Sequence, residues 1–148
     1  MCQAYQGGFV GRTHWFALRV YFEDTDVAGI VYYANYLRFM ERARSDMLRA
    51  VGIDQRAAME AGDGAYAVAE VAIRYRAPAR LDDELLVVSQ VREVRPASCL
   101  IHQQVRRGED ILTDATVTAA FLSPAGRPRR QPAGWVEKFR AVEARGGE

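Results

Sequence analysis

Two cysteines, two histidines and a single lysine (Lys138) are all that the 148 residues supply of those types, and each shortage removes a class of chemistry. Cys2 and Cys99 lie far apart and neither belongs to a C-x-x-C pair, so no zinc knuckle, redox dithiol or disulfide framework is predicted, and a reducing cytoplasmic setting is expected. There is no G-x-S-x-G elbow, no phosphate-cradling G-x-x-x-x-G-K-[ST], no G-x-G-x-x-G and no H-E-x-x-H; the reactions built on those motifs leave the list. An excess of either charge is missing too. Twenty basic against nineteen acidic residues give +1, which argues against a broad cationic face for nucleic acid and leaves any anion site local. No apolar run approaches the ~20 residues of a spanning helix. The first residues, M-C-Q-A-Y-Q-G-G-F-V-G-R-T-H-W-F, lack both a basic stretch and a continuous apolar one, so an unexported protein with no membrane span is expected.

What is present fits one core. The 49% apolar and 26% charged composition is that of an ordinary globular chain, and a domain of this size buries about 68–70% of its unfolded surface. A single domain over 1–148 is predicted, with loose ends at about 1–12 and 143–148.

The pattern begins with alternation from Trp15 to Phe22, with Phe16, Leu18, Val20 and Phe22 on one face. An acidic cluster at Glu23, Asp24 and Asp26 and a glycine at 29 turn the chain. From Asn35 to Val51 the period changes. Tyr36, Leu37, Met40, Ala43, Met47, Leu48 and Val51 form a helical stripe opposite Arg38, Arg42, Ser45, Asp46 and Arg49, and Gly52 suits the C-terminal cap. Arg44 falls inside the apolar arc, where it can snorkel, pair with Glu41 or meet another subunit. Asp54 is placed to cap a short helix through Glu60. Strands follow over 66–77, 84–94, 98–106 and 111–122, the last two as a hairpin around Gly108, then a Pro-rich loop over 123–132 and a short helix near 133–142. One long helix followed by mainly antiparallel strands is an α+β order, and its economical packing is a curved sheet wrapped around that helix.

Chemistry concentrates at the junction before the helix, E-D-T-D-V-A-G-I-V-Y-Y-A-N-Y (Glu23–Tyr36). A helix N-terminus offers unpaired N–H groups and a positive dipole end able to hold an oxyanion. Gly29 permits close approach of backbone to a ligand, and a nearby carboxylate can attack a carbonyl carbon or deprotonate a water that does so. The plainer alternative is that Asp24 and Asp26 solvate a turn and cap the helix. An EF-hand reading fails, because Ala28 and Asn35 stand where the fifth and twelfth ligands belong. Cys99 and His102, three apart on a strand, face opposite ways and form no catalytic pair. Both histidines read as structural, and no metal site or cofactor is predicted.

The stretch V-Y-F-E-D-T-D-V-A-G-I-V-Y-Y-A-N-Y-L-R-F-M-E-R-A-R-S-D-M-L (Val20–Leu48), continued by Y-R-A-P-A-R-L-D-D (Tyr75–Asp83), resembles the signature of hotdog-fold acyl-CoA thioesterases of the 4-hydroxybenzoyl-CoA thioesterase superfamily, closest to the bacterial Tol-Pal-associated branch. The resemblance implies an antiparallel sheet around one helix, assembly into homodimers or homotetramers with sites at the dimer interface, and hydrolysis of an acyl-CoA substrate to a free acid and CoA. It implies Asp26 as the catalytic carboxylate, nucleophile or general base, with Asp24 ordering the loop. It further implies the backbone N–H of Tyr33 as oxyanion donor and Gly29 as the position giving the substrate room. Two departures stand out: many members of that branch have His in place of Tyr33 and Tyr in place of Phe22. Arg127, Arg129 and Arg130, or Arg76 and Arg80, are available for CoA phosphates. The alternative function is a non-catalytic acyl-CoA or acyl-carrier-protein binding module on the same fold.

Overall fold

The structure, a computed structural model, describes residues 7–144; the expected loose ends lie partly outside them. Alternation of inward and outward residues is clearest in the middle of the sheet. In the strand Ser98–Arg107, buried Cys99, Ile101, Gln103 and Val105 alternate with partly exposed Leu100, His102 and Gln104. The strands are β1 (Gly8–Val10), β2 (Thr13–Arg19), β3 (Ala65–Tyr75), β4 (Glu84–Val94), β5 (Ser98–Arg107) and β6 (Asp110–Leu122). They form one sheet in the order β1-β2-β4-β5-β6-β3, every neighbour antiparallel.

The helices are α1 (Asn35–Ala50), α2 (Gln55–Glu60) and α3 (Ala133–Ala141). None is long and apolar enough to cross a membrane. The stripe of α1 faces the sheet: Tyr36, Met40, Ala43, Met47 and Leu48 are buried, joined by Phe39, and pack on Val20, Leu85, Val87, Val105, Leu112 and Val117 toward one end and on Val91, Cys99, Ile101 and Phe139 toward the other. Asp54 caps α2 by accepting from Ala57 N at 3.0 Å.

Three expectations are corrected. The strand over 15–22 stops at Arg19, because the Asp24 carboxylate accepts from Tyr21 N at 2.8 Å and curls Phe22–Asp24 into a single 3-10 turn; Phe22 is left 81% exposed instead of facing the core. Residues 8–10, inside the stretch expected to be loose, form β1, folded back on β2 through a turn with Gly11 at φ +62°. Asp46, expected on the solvent face of α1, is 3% exposed. Its Oδ2 accepts from Gly7 N at 2.9 Å and bonds the buried His14 Nε2 at 2.8 Å.

That pair makes stability pH-dependent. Burial outweighs the Asp46 partner and lowers the His14 pKa below its ordinary 6.5. The unfolded chain therefore binds a proton between that lowered value and 6.5 that the folded chain does not. The contribution is complete above pH 6.5 and is lost as pH falls through the lowered value. Melting curves between pH 7.5 and 5 should show the unmutated protein losing stability on acidification and His14→Phe losing less; parallel curves would contradict this.

A second prediction concerns Gly64, at φ +133° in the turn into β3. A Cβ there would lie 2.2 Å from Leu122 O and 3.0 Å from the Phe121 ring. Gly64→Ala should cost about 3 kcal/mol, roughly 10 °C in melting temperature; an unchanged transition would contradict it.

Arg44 is half-buried and reaches an interior partner. Its Nη1 donates to Gln103 Oε1 at 2.9 Å, while Gln103 Nε2 donates to Met40 O and Ser89 Oγ, both at 3.0 Å. Glu41 accepts from Ser45 Oγ at 2.9 Å and, as expected, also acts on Arg44 through its charge.

Candidate active site

The loop between the 3-10 turn and α1 is clasped at both ends. Asp26 N donates to Ile30 O at 2.9 Å and Gly29 N to Asp26 O at 3.0 Å, closing a turn that Gly29 completes at φ +80°. Thr25 and Val31 pair as an antiparallel bridge. The Asp24 carbonyl then accepts twice at 2.9 Å, from Tyr32 N and from the buried Asn35 Nδ2. A single carbonyl thus ties the exit of the loop to the first residue of α1.

This clasp places the sequence-predicted residues on one short structure. Asp26 is partly buried; its Oδ1 accepts from Ala28 N at 2.8 Å. Asp24 is committed to Tyr21 N, which matches a loop-ordering part. Gly29 is exposed, and a Cβ on it would meet nothing within 4 Å, so its positive φ is the constraint there. Tyr33 sits in the turn that feeds α1, two residues before the helix begins. Around it the carbonyls are taken: Tyr32 O by Asn35 N at 2.8 Å, Tyr33 O by Tyr75 Oη at 3.1 Å and Ala34 O by Leu37 N at 3.2 Å. Among the described residues no acceptor takes the Tyr33 N–H. An amide without an internal acceptor, beside the positive end of a 16-residue helix, suits a developing oxyanion.

The segment after β3 holds this loop from below. Val31 N donates to Ala79 O and Ala79 N to the buried Tyr36 Oη, both at 2.9 Å, and Ile30 bridges Arg80. Asp83 Oδ2 accepts from Arg80 N and Arg107 Nη1, each at 2.8 Å. The two resembling segments are therefore one structural unit. Sequence reasoning missed Asn35, Tyr36 and Tyr75 as its ties. Their side-chain types carry no signal of their own, since the partners lie 11, 43 and 42 residues away.

Other polar candidates fall elsewhere. Burial pushes the Cys99 thiol up to about 12, so it is a poor nucleophile. His102 is on the outer face of the sheet, with Nε2 2.7 Å from Asp114 Oδ1. Arg129 Nη1 is spent on the carbonyls of Asp63 at 2.8 Å and Gly62 at 3.3 Å. Among the described residues no three His, Cys, Asp or Glu groups converge as metal ligands. A mainly apolar groove of about 310 Å³ starts at Leu37, one turn beyond Tyr33, and runs between α1 and β3 past Met40, Val68, Val71 and Val117, with Arg38, Glu41 and Arg44 also on its walls.

Comparison with known proteins identifies the family. Residues 28–113 match the sequence profile of the Thioesterase superfamily. The chain is 44% identical over 107 residues to an acyl-CoA thioesterase, YbgC, of Haemophilus influenzae, covering 72% of this chain and 79% of that protein. A probable thioesterase from Bartonella henselae superposes with a TM-score of 0.77 at 34% identity over 81% of this chain and 99% of its own. At the level of fold alone, so does a variant 4-hydroxybenzoyl-CoA thioesterase in complex with 4-hydroxybenzoyl-CoA, with a TM-score of 0.77, 24% identity and coverage of 86% and 99%. The chain belongs to the Thioesterase superfamily, with its hotdog fold and its thioester hydrolase chemistry.

Proposed function

We propose that the protein hydrolyses acyl-CoA thioesters, with Asp26 supplying the carboxylate and the Tyr33 N–H the oxyanion donor. The observation that carries this reading is the uncommitted Tyr33 amide at the head of α1, on the same clasped loop as a partly buried aspartate. The thioester oxygen accepts from Tyr33 N–H, which makes the carbonyl carbon electrophilic. In one route an Asp26 oxygen attacks that carbon, the C–S bond breaks, CoA thiolate leaves, and water hydrolyses the resulting mixed anhydride. In the other, Asp26 takes a proton from a water that attacks the same carbon, and returns it as CoA departs. Both routes begin from the ionised carboxylate and pass through an oxyanion that the amide and the helix dipole stabilise. Gly29, open above the loop, leaves room for the substrate.

The site is a groove completed by a second copy. β3 is an 11-residue edge strand, and its Val68 and Val71 are 49% and 37% exposed. A long edge with apolar side chains is a template for pairing, and two-fold pairing of β3 with β3 covers the α1–β3 groove with the same surface of the partner. The test is thiol release from acyl-CoA substrates of short, long and aromatic acyl groups. Turnover of at least one is expected, and tight CoA binding without turnover of any would favour a binding module.

A further inference from the structure

We propose that Tyr75 is a positioning residue for this reaction, its phenol holding the Tyr33 carbonyl and so fixing the turn that presents the Tyr33 N–H. The inference rests on the oxyanion role proposed for that amide. Of the three carbonyls around the turn, those of Tyr32 and Ala34 are bonded from within the first turn of α1, whereas Tyr33 O is held from another element, by Tyr75 Oη at 3.1 Å from the end of β3. The peptide that carries the Tyr33 N–H is tethered through Tyr32 O and the next one through Tyr33 O, so the backbone is held on both sides of Tyr33 and Tyr75 supplies the second hold.

Tyr75 itself stands on a fixed base. Its ring packs edge-on against Tyr36 at 5.6 Å and Tyr33 at 6.0 Å, and Tyr36 is pinned by Ala79 N at 2.9 Å. On the protomer the hydroxyl is no structural necessity: Tyr75 is 44% and Tyr33 62% exposed there, so water can satisfy the carbonyl if the phenol is removed. Water does not impose one orientation, and preorganisation is what an oxyanion donor supplies. Burial, with Tyr33 and Tyr36 adding to it, raises the Tyr75 pKa above its ordinary 10. The phenol therefore stays a donor across the pH range of an assay, and its loss should act equally at every pH.

The experiment compares Tyr75→Phe, which keeps the ring, with the unmutated protein by thiol release, by binding of a non-hydrolysable S-alkyl-CoA thioether and by melting. The thioether has no carbonyl and does not sense the amide. Expected are a kcat about tenfold lower, a smaller loss than the 10²–10³-fold seen on deleting an oxyanion donor outright, with KM and thioether Kd within about twofold and the rate ratio constant between about pH 6 and 9. A kcat within twofold of the unmutated enzyme, a thioether affinity that falls in step with the rate, a pH-dependent ratio, or failure of Tyr75→Phe to fold would each overturn the role. An unmutated protein without turnover would sink the thioester reading and this role with it, a pattern distinct from an active enzyme indifferent to Tyr75→Phe.

Discussion

Asp26→Asn should fold with an unchanged melting transition and release CoA thiol on the order of 10³-fold more slowly than the unmutated protein. The amide side chain has nearly the shape of the carboxylate, and its oxygen can still accept from Ala28 N, the one hydrogen bond this carboxylate makes within the turn. The turn is otherwise closed by backbone bonds that the substitution does not touch. What is lost is the negative charge that attacks carbon or accepts a proton from water. Asp24→Asn supplies the contrast. That carboxylate accepts from Tyr21 N, and Asn can accept there too, so activity should fall by less than tenfold. Equal losses in the two variants would return both aspartates to the role of solvating a turn.

The second large effect concerns assembly. Val71→Glu should convert the protein to a monomer at micromolar concentration and lower acyl-CoA turnover at least about 100-fold, while each protomer keeps its fold. Val71 is 37% exposed on the protomer, so a carboxylate there reaches water until a second β3 edge arrives. Pairing then takes the charge out of water in a groove that is mainly apolar but also lined by Arg38, Glu41 and Arg44, at a cost of a few kcal/mol, and 2.8 kcal/mol is already about 100-fold in association. Light-scattering mass and thiol release on the same sample decide it. A fully active monomer would show that one chain holds the complete site.

The long helix was readable from its 3.6-residue spacing, the strands after it from β-branched and aromatic content between turn residues, and the loop bearing Asp26 from its acidic cluster and glycine, because these local signals survive whatever the tertiary partners are. Where the reading failed, a distant partner decided. Asp46 looks solvent-facing on the helical wheel and is drawn inside by His14, 32 residues earlier. Phe22 continues the alternation of β2 in sequence, yet Asp24 ends the strand before it. At the site, acidic residues, a glycine and a helix start announced themselves locally. The ties that shape the loop did not, since Asn35, Tyr36 and Tyr75 act through partners from 11 to 43 residues away that only the closed sheet brings near.

A crystal structure of Asp26→Asn with an intact acyl-CoA bound tests the central claim most directly. The thioester oxygen should lie about 2.7–3.1 Å from Tyr33 N, with the residue 26 side chain about 3–3.5 Å from the carbonyl carbon and the acyl group running along α1 toward Leu37. An acyl-CoA seated with its carbonyl away from the Tyr33 amide, or on the outer face of the sheet, would contradict the account.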